Sequence, residues 1–229
     1  MKLTEDSFRA LARSSPWRWR SVHFTRRGGE EETVEAWVTR PGRMVVVDAG
    51  GRRHEVVENA GEGRAIFVSG PGPVPQPQWL TPQQTEPVRR LDGLVAHRPD
   101  DLTVCYDDPM WQDYQWVAML DPVELSEHTI VTDLRDGEHR GRPAWRAVVA
   151  AADGYEPRCG CCPLLWGEIS ERDEAAGGGT TWRDHDPQVV YPIAYEVALD
   201  LQTGIVVELT PIGGSRSSHT LDVEVHDAR

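Results

Sequence analysis

No run in the 229-residue chain approaches the ~20 consecutive apolar residues that a membrane-spanning helix needs. The opening residues, MKLTEDSFRALARSSPW, contain no apolar signal-peptide core and no lipidation cysteine. A cytoplasmic protein is therefore expected, with a processed exported form left open. Positive charge is scarce as well. Twenty-four Lys and Arg stand against 37 Asp and Glu, a formal net charge of −13. Such a surface repels phosphate backbones and anionic headgroups, which argues against nucleic acids and membranes as partners. Catalytic signatures are missing too. There is no GxSxG, no SxxK, no GxxxxGK[ST], and no HxxxH or HExxH spacing among the eight histidines. Gly177-Gly178-Gly179 follows no strand and opens no helix, so it is no phosphate cradle. A non-enzymatic role is the expectation.

What remains is 39% apolar and long enough for one large domain, taken as residues 1–229. A short helix opens the chain, capped by Thr4, with Phe8, Leu11 and Ala12 on one side and Pro16 ending it. Period-two patterns then dominate. Residues 17–24 alternate Trp17 and Trp19 with Arg18 and Arg20 before the apolar phase shifts to Val22 and Phe24, which predicts a bulge or a strong twist. Strands follow at 34–38, 44–48, 54–58 and 64–69, an antiparallel meander. Six prolines between Pro71 and Pro87 exclude a central strand and predict an extended arm over 70–90.

Asp108-Pro109 reads as the start of a covering helix to about Leu120, with Met110, Tyr114 and Val117 at helical spacing. Strands resume at 128–134, with Asp136-Gly137 as a hairpin signal, and at 142–151. Residues 188–200 put Val189, Tyr191, Ile193, Tyr195, Val197 and Leu199 on one face. Strands at 205–209 and 219–226 end the chain, the last presenting Leu221, Val223 and Val225. Charged, Gly-rich residues 170–186 predict a mobile loop. About ten strands and a few helices make an α+β chain, mostly antiparallel. The expected architecture is a strongly curved, unclosed β-barrel covered by helices.

Three of the four cysteines fall in EPRCGCCPLLWGE. Cys159, Cys161 and Cys162 hold a CxxC frame, a CxC frame and a vicinal pair. With Cys105 they supply four thiols, enough for a tetrahedral zinc site. A structural disulfide or plain packing as buried free thiols is the favoured reading, and redox chemistry is a further one. His185 and His219 are alternative fourth donors.

Two turn motifs add a resemblance. GRPAW (residues 141–145) opens a strand, and LDLQTG (residues 199–204) has the Asp-x-x-Thr-Gly form of a hairpin. With the order helix, Trp/Arg-rich strand, meander, Pro-rich crossing and helix, the chain resembles the LolA-like lipoprotein-carrier superfamily, which includes the RseB-like regulators and the mycobacterial lipoglycan carriers. The resemblance implies an unclosed barrel with a helical lid, binding acyl chains in its concavity without catalysis. This sequence departs from it in lacking an export signal, in its cysteine cluster and in its polar 170–186 segment. The expected function is binding of a hydrophobic ligand, lipid or acyl, or of a protein or peptide partner. Trp17, Trp19, Tyr191, Ile193, Tyr195 and Val223 are the expected ligand-binding residues. The alternative is a cytoplasmic thiol- or zinc-dependent regulator using Cys159, Cys161, Cys162 and Cys105.

Overall fold

The computed structural model describes residues 2–28, 31–58, 79–100, 103–160, 162–215 and 220–229. The expected strand at 64–69, the first part of the proline-rich arm, Cys161 and His219 lie outside those residues. Helix α1 (Glu5–Ser14) begins as the sequence predicts, with Thr4 and Ser7 forming a reciprocal capping box. Strands β1 (Ser21–Gly28), β2 (Glu31–Thr39), β3 (Arg43–Val47) and β4 (Arg53–Val57) form the expected meander. A two-stranded hairpin follows, β5 (Val88–Arg89) with β6 (Val95–His97), then α2 (Gln115–Leu120). The second half of the sheet is β7 (Thr129–His139), β8 (Arg142–Ala151), β9 (Ala194–Asp200), β10 (Val206–Ile212) and β11 (Leu221–Ala228). Helices α3 (Glu168–Ala176) and α4 (Trp182–His185) lie between β8 and β9 in sequence.

Nine strands make one antiparallel sheet in the order β4-β3-β2-β1-β11-β10-β9-β8-β7. Among the described residues it does not close, and β4 and β7 are its edges. The two halves are joined where the first strand meets the last, β1 against β11. That pairing shifts register between His23 and Phe24, at the phase change that predicted a bulge. One side of the sheet supplies Phe24, Val38, Val46, Val197 and Val223 to a core shared with Phe8 and Leu11 of α1 and Trp116, Met119 and Leu120 of α2. The fold is the expected α+β sheet with helices over one side.

Five local expectations fail, each for a physical reason. Trp17 and Trp19 precede β1 rather than belong to it. Trp17 ends a 3-10 turn (Ser15–Trp17), and the Trp19 indole donates to Ser15 Oγ at 3.1 Å. The covering helix starts at Gln115, because Asp108 does not cap it. Asp108 is instead the counter-charge of buried Arg40, bonded through both oxygens at 2.8 and 2.6 Å. Asp136 and Gly137 sit inside β7, opposite Trp145 and Ala144. The turn is one hairpin step later, at Arg140 (φ 50°) and Gly141 (φ 79°), the paired positive φ of a two-residue loop that matches strand twist. Strand β9 begins only at Ala194, since Pro192 offers no N–H to the ladder. The 170–186 segment is mostly helical, in α3 and α4, with Thr181 and Asp184 forming a capping box.

The two turn motifs meet. Arg142, after Gly141, donates to the Asp200 carboxylate at 2.7 and 3.1 Å. Asp200 Oδ1 also takes the Thr203 amide and hydroxyl, each at 2.8 Å, which builds the β9–β10 hairpin. Gly204 there has φ +75°, and a Cβ would stand 2.8 Å from the Leu11 carbonyl. The hairpin and α1 therefore meet backbone to backbone, and only glycine fits.

The cover is fastened by charge. Asp121, at the C-terminal end of α2, is fully buried. Arg98 donates to it at 2.9 Å and through a second, shorter bond, and Arg158 donates at 2.5 Å. Arg98 also reaches the Arg13 carbonyl of α1 (2.9 Å), and Arg158 reaches Asp107 (2.8 Å). Burial works to raise the Asp121 carboxyl, but the two guanidinium groups outweigh it and hold it below its ordinary value. Its stabilisation is thus present above the ordinary carboxylate range and is lost as pH falls through the depressed value. Asp121→Ala is expected to cost about 3–5 kcal/mol, because it strands buried positive charge. Urea unfolding at neutral pH measures this; a loss below about 1 kcal/mol would contradict the fastening role.

Candidate functional site

Between β8 and α3, residues 152–160 and 162–167 form a strap without helix or strand. Two buried groups pin it. Arg158 carries the first pin, on Asp121 and Asp107. The second is Glu124, whose carboxylate accepts from the Tyr155 hydroxyl (2.5 Å) and the Leu164 amide (3.3 Å). Tyr155 Oη in turn accepts from the Leu165 amide at 3.2 Å. Past these pins the strap runs Leu165-Trp166-Gly167 into α3.

Opposite that run, the chain enters β9 through residues 189–193. These pair irregularly with the far end of β10: Ile193 N–H donates to the Ile212 carbonyl (3.0 Å), and Ser215 N–H to the Val190 carbonyl (2.8 Å). Between strap and entry lies an open groove of about 460 Å³, walled by Leu165, Trp166, Ile169, Val189, Tyr191 and Ile193, with Ala151 and Tyr195 from the sheet. Val190 is 59% exposed and Ile193 78% exposed, so the rim is apolar.

Glu171 of α3 organises the polar side of this groove. It is buried and accepts from the Trp166 indole (2.9 Å), the Trp182 amide (2.8 Å) and the Tyr191 hydroxyl (2.7 Å). Burial and the bond to Glu171 push the Tyr191 phenol up to about 12, so it stays protonated at neutral pH. Tyr191 meets Trp166 edge-on, centroids 5.0 Å apart, and Arg183 of α4 sits 5.0 Å from the Tyr191 ring centroid. Tyr195 is locked by a 2.7 Å bond from its hydroxyl to the Trp166 carbonyl.

Three expected ligand residues, Tyr191, Ile193 and Tyr195, are therefore gathered at one groove. The other three are elsewhere. Trp19 and Val223 are sealed in the core, with the Arg40 guanidinium 3.4 Å from the Trp19 ring centroid. Trp17 holds the described part of the arm, donating to the Pro82 carbonyl at 2.8 Å. Leu165, Trp166, Glu171 and Arg183 were missed. Trp166 sat beside the cysteines, and Glu171 and Arg183 sat in a segment whose charge reads as a solvated loop.

The cysteines divide as well. Cys105 is buried with its Sγ 3.9 Å from Asp107 Oδ2, while Cys159 and Cys162 lie partly exposed on the strap. Among the described residues no three His, Cys, Asp or Glu side chains stand close enough to hold a metal ion, so Cys105 does not join Cys159 and Cys162 in such a group.

Burial pushes Glu124 up from 4.5 to about 7; the Tyr155 and Leu164 bonds oppose that without cancelling it. Between these values the folded protein keeps a proton that the unfolded chain has lost. The contribution of Glu124 to stability is then greatest below pH 4.5, falls as pH rises to 7, and is level above, a drop of about 3 kcal/mol. Glu124→Gln should abolish that slope in urea unfolding followed across pH. Parallel profiles for the two proteins would contradict the buried, proton-holding carboxyl.

No family model and no curated protein matches the sequence. Among solved structures, the chain is similar to the crystal structure of MucB, with a TM-score of 0.42 and 14% identity. The likeness covers 98% of this chain and 60% of that one, so the chain spans 60% of the length of the MucB chain it matches.

Proposed function

We propose that this protein is a non-catalytic binding protein for an anionic amphiphile, a single acyl-like chain lying in the groove with its head at Arg183. The observation that carries the reading is the apolar rim. Val190 and Ile193 are held exposed across an open groove whose opposite wall is Leu165, Trp166 and Ile169. Burying such surface under a ligand is favourable at about 25 cal/mol per Å². The groove falls within the ~300–1,000 Å³ of small-molecule sites. Its one positive side chain is Arg183, whose 3.5 Å contact with Glu168 joins two groups more than half exposed and is worth little. Arg183 is thus available to a carboxylate or phosphate. Among the described residues walling the groove there is no Ser, Cys or His; its one carboxylate, Glu168, is 3.5 Å from Arg183, and Glu171 behind it already takes three donors. That composition suits holding a ligand rather than transforming it. The LolA-like turn motifs support the same reading, with the binding surface moved from the packed inner side of the sheet to its rim.

Anthroyloxy-labelled palmitate is the probe. Wild-type protein should enhance its fluorescence saturably. Ile193→Asp, at an exposed position that leaves the fold intact, should weaken binding by about tenfold or more. Arg183→Gln should remove the preference for the acid over its methyl ester. No enhancement with wild type, or equal affinity for wild type and Ile193→Asp, would sink the proposal; so would capture of a peptide at this groove in preference to the fatty acid.

A further inference from the structure

The cysteine-bearing turn is left unused by the groove. The Cys162 amide donates to the Cys159 carbonyl at 3.4 Å, which places the two residues at the ends of a four-residue turn. Such a turn keeps its end Cα atoms within about 7 Å. A disulfide spans Cα separations of about 4.4–6.8 Å, so the backbone already brings the pair into range. Both side chains are partly exposed, whereas Cys105 is buried against Asp107.

The turn is also fixed from both sides. Arg158, immediately before Cys159, is bonded to buried Asp121 and to Asp107. Leu164 and Leu165, just after Pro163, are bonded through their amides to Glu124 and Tyr155. The stretch between these pins is little more than the turn itself. Closing a ring this short between fixed ends demands little further ordering of the chain.

We propose that Cys159 and Cys162 are a reversible disulfide site, oxidised by a low-molecular-weight disulfide such as oxidised glutathione, and that Cys105 takes no part. One protein thiolate attacks the small disulfide, forming a mixed disulfide and releasing one small thiol. The second protein thiolate then attacks the protein sulfur of that mixed disulfide, forming the Cys159–Cys162 bond and releasing the second small thiol. Two protein thiols give up two electrons and two protons, and the small disulfide is reduced to two thiols. The closed ring stiffens the strap between the Arg158 pin and Leu164. The site is independent of whether the neighbouring groove binds a ligand.

The test equilibrates the intact protein with glutathione buffers from fully reduced to fully oxidised, then quenches, alkylates and maps peptides by mass spectrometry. Expected at the oxidised end is a Cys159–Cys162 link, lighter by two hydrogens, with Cys105 alkylated throughout. Cys105→Ser and Cys161→Ser should form the same link. Cys159→Ser and Cys162→Ser should stop at a glutathione mixed disulfide on the remaining partner. Alkylation of both Cys159 and Cys162 at the oxidised end would overturn the proposal. So would Cys161 replacing either in the link, or a stoichiometric zinc that shields both thiols in protein purified without added metal.

Discussion

The burial of one charge, the Asp121 carboxylate, governs how the helices and loops cover this sheet. A carboxylate taken out of water must be paired, and here two guanidinium groups converge on it from different parts of the chain. Arg98 brings the segment after β6 and, through the Arg13 carbonyl, α1. Arg158 brings the strap. Arg40 and Asp108 make a second buried pair that ties the end of β2 to the same layer, and Arg142 with Asp200 a third within the sheet. All these cations are arginines; the chain's one lysine, Lys2, makes none of them. The planar fork matches a carboxylate with two parallel bonds, which a lysine cannot do.

This fastening decides where a ligand has room. With α1 and α2 drawn onto the sheet, its inner face is a packed core, and the space that an incomplete lid would leave is filled by Trp116, Met119 and Leu120. The pinned strap meets β9 at the Tyr195 hydroxyl, which donates to the Trp166 carbonyl, and Pro192 offers residues 189–193 no N–H for the ladder. The groove is the gap between the strap and residues 189–193. Its aromatic wall is rigid because Glu171 takes three donors at once, which orders Trp166, Tyr191 and α4 about one buried carboxylate.

Much of the sheet was legible in the sequence because alternation reports burial directly. The meander, the bulge at His23 and Phe24, and the final strand all follow from which residues are apolar at period two. Legibility ended where polar residues serve tertiary partners. Asp108 has the form of a helix cap and is an arginine's counter-ion. Asp136-Gly137 has the form of a turn, yet Asp136 accepts from the Trp145 indole inside a strand. Residues 168–185 have the composition of a loop and form two helices around Glu171. The six expected ligand residues divide between groove, core and arm for a related reason: an apolar side chain in a period-two pattern reads the same whether it faces a core or a groove.

The sequence by itself determined the class of the protein: an acidic, mostly antiparallel α+β chain with no long apolar helix and no catalytic signature, its strands marked by period and its hairpins by glycine. Local sterics and side-chain alternation are properties of neighbouring residues, so they need nothing else. Only the tertiary structure decided which ionisable groups are buried, that Tyr191 and Ile193 share a groove while Trp19 and Val223 are sealed, and that Cys105 stands apart from Cys159 and Cys162. Burial of a charge, and the open or closed state of an apolar face, depend on segments that meet across tens of residues, and a pattern read along the chain carries no distance between them.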